Sequence, residues 1–276
     1  MLKCYIITTL RTSYHKSKQH NHCINLTKLK GGRDNVISKI CDDIFVHIVI
    51  NTLNSISSRY APSRVLSFSP AHVFKTLQLI NRERYVSRFL LVRELELGEG
   101  SIKTLIKHLK MEKMIITTNK GTTMSEKGAK IFEQLSKYIP SELEIPQSSI
   151  SISKFNYAIL LIYMSNAIRQ GIEQRDAAIK MGAKGATTLI FENGKFSIPG
   201  SKYNVLRNEK SLELLLKDGL RPINNDVIII GSDDSSLILA ELAAKAAALY
   251  TLENHGDHKE LKLIANENRV VYKNNG

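Results

Sequence analysis

From Phe68 onward, apolar residues recur at helical spacing in several separate runs. Ser69-Pro70 opens the first run, and proline suits a first helical position because its missing N–H has no partner there anyway. Val73, Phe74, Leu77 and Ile80 then mark one apolar face. Arg82–Arg84 breaks the pattern. Ser87 caps a second helix carrying Leu90, Leu91 and Leu95. Gly98-Glu99-Gly100 is expected as a tight turn, and Ser101 as the cap of a third helix with Ile102, Leu105, Ile106 and Leu109 on one side. Met114–Thr118 is β-branched and strand-like, Asn119-Lys120-Gly121 is a turn, and Thr122–Met124 is the returning strand. Ser125 caps a last helix bearing Ile131, Phe132 and Leu135, which Pro140 ends.

Residues 141–153, with Pro146 and a Gln-Ser-Ser run, read as a linker. Beyond it, strand-like and helical patterns alternate. Tyr157–Met164 is apolar and strand-like, with a helix as the alternative, and residues 166–180 read as a helix. Ala186–Phe191 and Lys195–Ile198 flank an Asn193-Gly194 hairpin turn. A helix is expected over Glu209–Lys217, a strand over Asp226–Ile230 and an alanine-rich helix over Leu237–Leu252, with a last short strand near Arg269–Tyr272. This order predicts an α+β chain: a winged helix-turn-helix over residues 51–140, then an α/β-type domain over 154–276. Residues 1–50 form a basic leader with little periodicity, although Val36–Leu53 has a helical pattern. The leader reads either as a flexible arm or as the product of a start codon assigned too far upstream.

Charge sharpens the picture. The formal net charge is +13, and it is unevenly placed: +7 over residues 1–69, +6 over 70–140 and zero over 141–276. A basic half beside a neutral half points to a polyanionic partner for the basic half. The three cysteines, Cys4, Cys23 and Cys41, provide no disulfide framework, so a reducing, cytoplasmic setting is expected. No apolar run is long enough to cross a membrane. His15, His20, His22 and Cys23 are metal-ligand types, but their spacing lacks a second ligand pair, and neither metal nor cofactor is expected.

In a winged helix-turn-helix the third helix enters the major groove and the wing rests on the backbone. That assigns residues 101–111 to recognition and 115–124 to the wing. Ser101, Lys103, Thr104, Lys107 and His108 are the expected DNA contacts on the helix, and Lys120 is the expected contact at the wing tip. The plainer reading is that exposed lysines merely solvate a helix. Their coincidence with one face of one helix favours double-stranded DNA as the partner.

The stretch LELGEGSIKTLIKHLKMEKMIITTNKGTTMSEKG resembles winged-helix regulators of bacteria and archaea, especially the DNA-binding domain of the central glycolytic gene repressor family. Ser101, Leu105, Ile106 and Leu109 match that family's helix. Met114-Ile115 matches the entry to the wing, and Met124-Ser125-Glu126-Lys127-Gly128 the closing motif. Lys113 departs from it, standing where glycine is usual. Over residues 55–252 the chain is also similar to archaeal winged-helix proteins with a C-terminal domain of unknown function, through Tyr60–Arg64, Gly98–Ser101 and GIEQRDAAIKMGAKGATTL. The likeness implies a transcriptional regulator.

Two places in the C-terminal half are candidate ligand contacts. Arg175 and Asp176 begin a helix near Gly182 and Gly185. Gly231, Asp233 and Asp234 follow an apolar strand, at what is expected to be a sheet edge where a small polar ligand could sit. The carboxylates also suit helix caps, because Asp favours the N-cap and first turn, and capping is the preferred reading. With no nucleophile–base pair or phosphate loop visible, an enzyme is not expected. The expectation is a homodimeric regulator whose C-terminal domain senses a small-molecule effector or mediates dimerisation. The alternatives are an enzyme that represses its own operon and a winged helix used for protein contacts.

Overall fold

The computed structural model describes residues 46–58 and 66–255. The cysteines, the histidine cluster at 15–22, the Tyr60–Arg64 motif and the strand expected near residue 270 lie outside them.

The described chain opens with a helix over residues 46–56, α1. Its Val46, Val49, Ile50, Leu53 and Ile56 are buried at i, i+3, i+4, i+7 spacing. This corrects the boundary placed at residue 50, because the last residues assigned to the leader belong to a core helix. Three helices follow: α2 (Pro70–Glu83), α3 (Arg88–Leu95) and α4 (Glu99–Met111). The antiparallel hairpin of β1 (Ile115–Thr118) and β2 (Gly121–Met124) comes next, then α5 (Glu126–Tyr138). Val86 bridges to Thr122 and anchors the hairpin beside the start of α3.

Two local expectations change. Residues Glu99 and Gly100 are helical, not a turn, and the N-cap is Gly98, so Ser101 lies inside the first turn. The sharp reversal falls instead on Glu96, whose φ of 51° places a non-glycine residue in the left-handed region. At the other end of α4, Lys113 takes φ 57°. The Met114 N–H then reaches back to the Leu109 carbonyl at 2.8 Å and closes the helix. The glycine usual in the resembling family would meet this geometry without strain; lysine meets it at a cost.

Residues 141–153 do more than link. Within them β3 (Glu142–Ile145) forms one edge of a five-stranded sheet of order β3-β4-β7-β5-β6. The others are β4 (Phe155–Leu161), β5 (Gly185–Glu192), β6 (Lys195–Ser197) and β7 (Asp226–Asp233). Every neighbouring pair is antiparallel. The Asn193-Gly194 turn joins β5 to β6 as expected, both residues at positive φ. A single 3₁₀ turn occupies Ser165–Ala167, and the helix expected from residue 166 begins only at Ile172, as α6 (Ile172–Lys180). The remaining helices are α7 (Lys210–Leu220) and α8 (Leu237–Asn254).

β7 is central and wholly buried, which explains its unbroken apolar run. Val227 and Ile229 face α8, whereas Ile228 and Ile230 face Leu212, Leu216 and Leu220 of α7. The alanines of α8 let it lie very close to β7. A Cβ on Gly231 would stand 2.2 Å from the Ala240 carbonyl oxygen, so only glycine fits there. The same apolar cluster runs without a break from α1 through α5 into Ile159, Leu161 and the alanines of α8. The helical half and the sheet therefore share one core.

Candidate nucleic-acid interface

The apolar residues of α4 fix what its other face can do. Ile102, Leu105, Ile106 and Leu109 are all buried, which commits that side to the core. Lys103, Lys107 and Lys110 then fall within about one sixth of the helix circumference at 100° per residue, and all three are exposed. Arg88, the first residue of α3, faces the same groove. Together with Ile106 and Met111 these four cations line a depression of about 410 Å³ between α3 and α4.

The groove differs in how many unpaired cations it gathers. Several cations elsewhere in the helical half have carboxylate partners: Arg82 with Glu83, Arg93 with Glu94, Lys127 with Glu112, Lys130 with Glu126 and Lys137 with Glu133. Arg84, Lys113 and Lys120 have none among the described residues, but they do not line the groove. Among the described residues, Arg88, Lys103, Lys107 and Lys110 make no ion pair. Four clustered cations left without counter-charge repel one another, and a polyanion relieves that repulsion.

Around the groove, the expected contacts divide. Thr104 is half-buried and its hydroxyl donates to the Gly100 carbonyl at 3.0 Å, leaving its lone pairs free to accept. Ser101 is half-buried in the first turn. Lys120 stands in the turn between β1 and β2 with its ammonium 6.0 Å from the Tyr85 ring centroid. His108 is the clear correction. It is 5% exposed, its Nδ1–H donates to the Ile56 carbonyl at 2.8 Å, and its ring meets Phe68 edge-on. The histidine lies at the edge of the buried arc of α4, and α1 closes over that edge. Arg88 and Lys110 were missed by the sequence reading. Lys110 was legible as the i+7 partner of Lys103, but Arg88 depends on how α3 crosses α4.

The C-terminal candidates have structural work. Asp233 is buried, and its carboxylate accepts from the Ser235 N–H at 2.7 Å, the Ser235 hydroxyl and the Ser236 N–H at 3.1 Å. Burial pushes that carboxyl up, but the Ser235 hydroxyl and the neighbouring backbone N–H groups outweigh it and hold it below the ordinary range. Asp234 pairs with Lys184 at 3.6 Å, and Arg175 pairs with Asp176 at 3.2 Å on the exposed side of α6. Gly231 packs on α8. The sheet edge expected at Gly231–Asp234 is instead the end of the central strand β7, with β4 and β5 on its two sides, so no open edge lies there. Among the described residues no group of histidine, cysteine and carboxylate side chains is placed to hold a metal ion, and no helix is long and apolar enough to cross a membrane.

A buried charge chain joins the two halves. Lys75 of α2 bonds Glu241 at 2.6 Å, Glu241 bonds Lys245 at 2.8 Å, and Lys245 bonds Glu142 of β3 at 2.6 Å. Lys245 is fully buried, with its ammonium between the rings of Phe74 and Tyr157. Burial pushes the Glu241 carboxyl up, yet Lys245 and Lys75 together hold it below its usual range. Burial and the nearby Glu142 and Glu241 raise the Tyr157 hydroxyl pKa, so it stays protonated and donates to Glu142 at 3.2 Å.

No curated protein matches the chain. A solved structure, the hypothetical protein PH0730 from Pyrococcus horikoshii OT3, superimposes with a TM-score of 0.52 at 22% identity. The match covers 66% of this chain and 91% of that one, a likeness of fold to an archaeal protein. Residues 152–252, from the approach to β4 into the last turn of α8, match the family model of a domain of unknown function, DUF4443.

Proposed function

We propose that this protein is a transcription regulator that binds double-stranded DNA through a winged helix-turn-helix formed by α2–α5 and the β1–β2 hairpin. The observation that carries the reading is the groove between α3 and α4, where Arg88, Lys103, Lys107 and Lys110 converge without counter-charge. With α4 in the major groove, these cations meet phosphates along one strand and Lys120 meets a phosphate under the wing. Thr104 and the partly exposed Met111 come nearest the base edges, where Met111 suits a thymine methyl. The protein acts in the cytoplasm of an archaeon as a homodimer. Its neutral C-terminal domain senses a small molecule or mediates dimerisation, and the chain is a binding protein rather than an enzyme.

Selection from a pool of random duplexes tests this reading. Wild type should retain duplex and enrich a common sequence over successive rounds. A variant with Lys103, Lys107 and Lys110 changed to Ala should keep its helical circular dichroism but retain far less duplex at the same salt. Failure of wild type to retain any duplex at low salt would overturn the reading.

A further inference from the structure

Near its start, α8 makes polar contacts with the helical half at two places. Ser236, its N-cap, donates its hydroxyl hydrogen to the Glu96 carboxylate at 2.7 Å while accepting from the Ile238 and Leu239 N–H groups. Glu96 is the left-handed residue in the reversal between α3 and α4, so it sits where the direction of α4 is set. Five residues beyond Ser236, Glu241 holds Lys75 of α2 in the buried charge chain. On its other side the start of α8 is held by β7, because the Asp233 carboxylate binds both residues that lead into the helix. A continuous run of short polar contacts thus leads from the central strand of the C-terminal sheet to the reversal before the DNA-facing helix.

We propose that the Asp233–Ser236 loop is the regulatory link of this protein, through which a change in the C-terminal domain alters the DNA-facing helix by way of Glu96. The consequence for DNA rests on the proposed function, but the mechanical link does not. The arrangement suits control because Glu96 is an acceptor rather than a packed apolar group. Losing one hydrogen bond frees the reversal without opening the core. A ligand that moves β7 or the loop would change the orientation of α4, and by reciprocity DNA held on α4 would change the loop.

A double-mutant cycle read by hydrogen exchange tests the link in the full chain. Asp233→Ala and, separately, Ser236→Ala loosen the start of α8 from either side of the loop. In a background with Glu96 intact, Asp233→Ala should speed exchange over residues 99–111 by about threefold or more, as expected for a locally coupled unit. In a Glu96→Ala background the same change should leave 99–111 unaffected, and Glu96→Gln, which keeps an acceptor oxygen, should restore part of the response. Unchanged exchange over 99–111 in both loop variants overturns the proposal, as does a response that persists in full without Glu96. Affinity for a random-sequence duplex is measured on the same proteins and should fall in step with exchange. Coupled exchange with no duplex bound even by wild type would uphold the link and overturn the DNA-binding reading alone.

Discussion

Ile48 and Ile50 lie two residues apart on α1, yet one is 52% exposed and the other 2%. Changing each to Ala removes the same three carbons from the same helix, so the small gain in helix propensity is common to both. At Ile50 the lost transfer free energy is about 2.4 kcal/mol, at roughly 0.8 kcal/mol per buried methylene. A residual cavity of around 50 Å³ would add about 1 kcal/mol. Ile50→Ala should therefore cost about 3–4 kcal/mol, whereas Ile48→Ala should stay within about 0.5 kcal/mol of wild type. Urea unfolding followed by circular dichroism resolves this easily, because at an m-value of about 1–3 kcal/mol/M the Ile50 midpoint falls by about 1 M or more. If the two variants unfold at the same urea concentration, α1 does not pack as described and the burial of His108 beneath it loses its support.

Two further predictions concern single residues. The Ser69 N–H donates to Nδ1 of the buried His72 at 3.1 Å, and burial, aided by Lys75, lowers the His72 pKa to about 4. Its folded pKa is thus below the unfolded value of about 6.5, so the neutral ring contributes no penalty above pH 6.5, and stability is lost as pH falls from there toward 4. By pH 5 the loss should reach about 2 kcal/mol relative to a His72→Gln variant measured alongside. Parallel stability curves for the two proteins between pH 7 and 5 would rule this out. Lys113→Gly should stabilise by about 0.5–1 kcal/mol, since relief of left-handed strain worth about 1–2 kcal/mol exceeds the extra unfolded-state entropy of glycine. A lower thermal midpoint for the glycine variant would contradict the φ of 57° at this position.

Local patterns were legible where one face of an element decides its fate. The four apolar positions of α4, the β1–β2 hairpin and the Asn193-Gly194 turn are all where periodicity and turn chemistry place them. Features that depend on a distant neighbour were not. His108 is at the margin between two faces, and only α1 decides that it turns inward. The four-residue β3 alternates glutamate with apolar residues beside Pro146 and reads as linker until it pairs with β4. Strand direction was equally hidden, because alternating strands and helices carry no record of whether β7 runs parallel to its neighbours. β7 is central and antiparallel, and Asp233 holds the backbone leading into α8, in line with the capping reading that the sequence favoured over a ligand contact. The charge chain from Lys75 to Glu142 joins residues far apart in sequence, none of which stands out singly.

The central claim, that the groove between α3 and α4 holds DNA phosphates, is tested most directly by the salt dependence of duplex binding. Each phosphate contact contributes about 0.9 to the slope of log affinity against log salt, or about eightfold in affinity at 0.1 M. Replacing Lys103, Lys107 and Lys110 with Ala should reduce the magnitude of the slope by about 2.7 relative to wild type. Replacing the paired Lys130 and Lys137 instead should leave the slope unchanged. An equal slope for wild type and the groove variant would contradict the account.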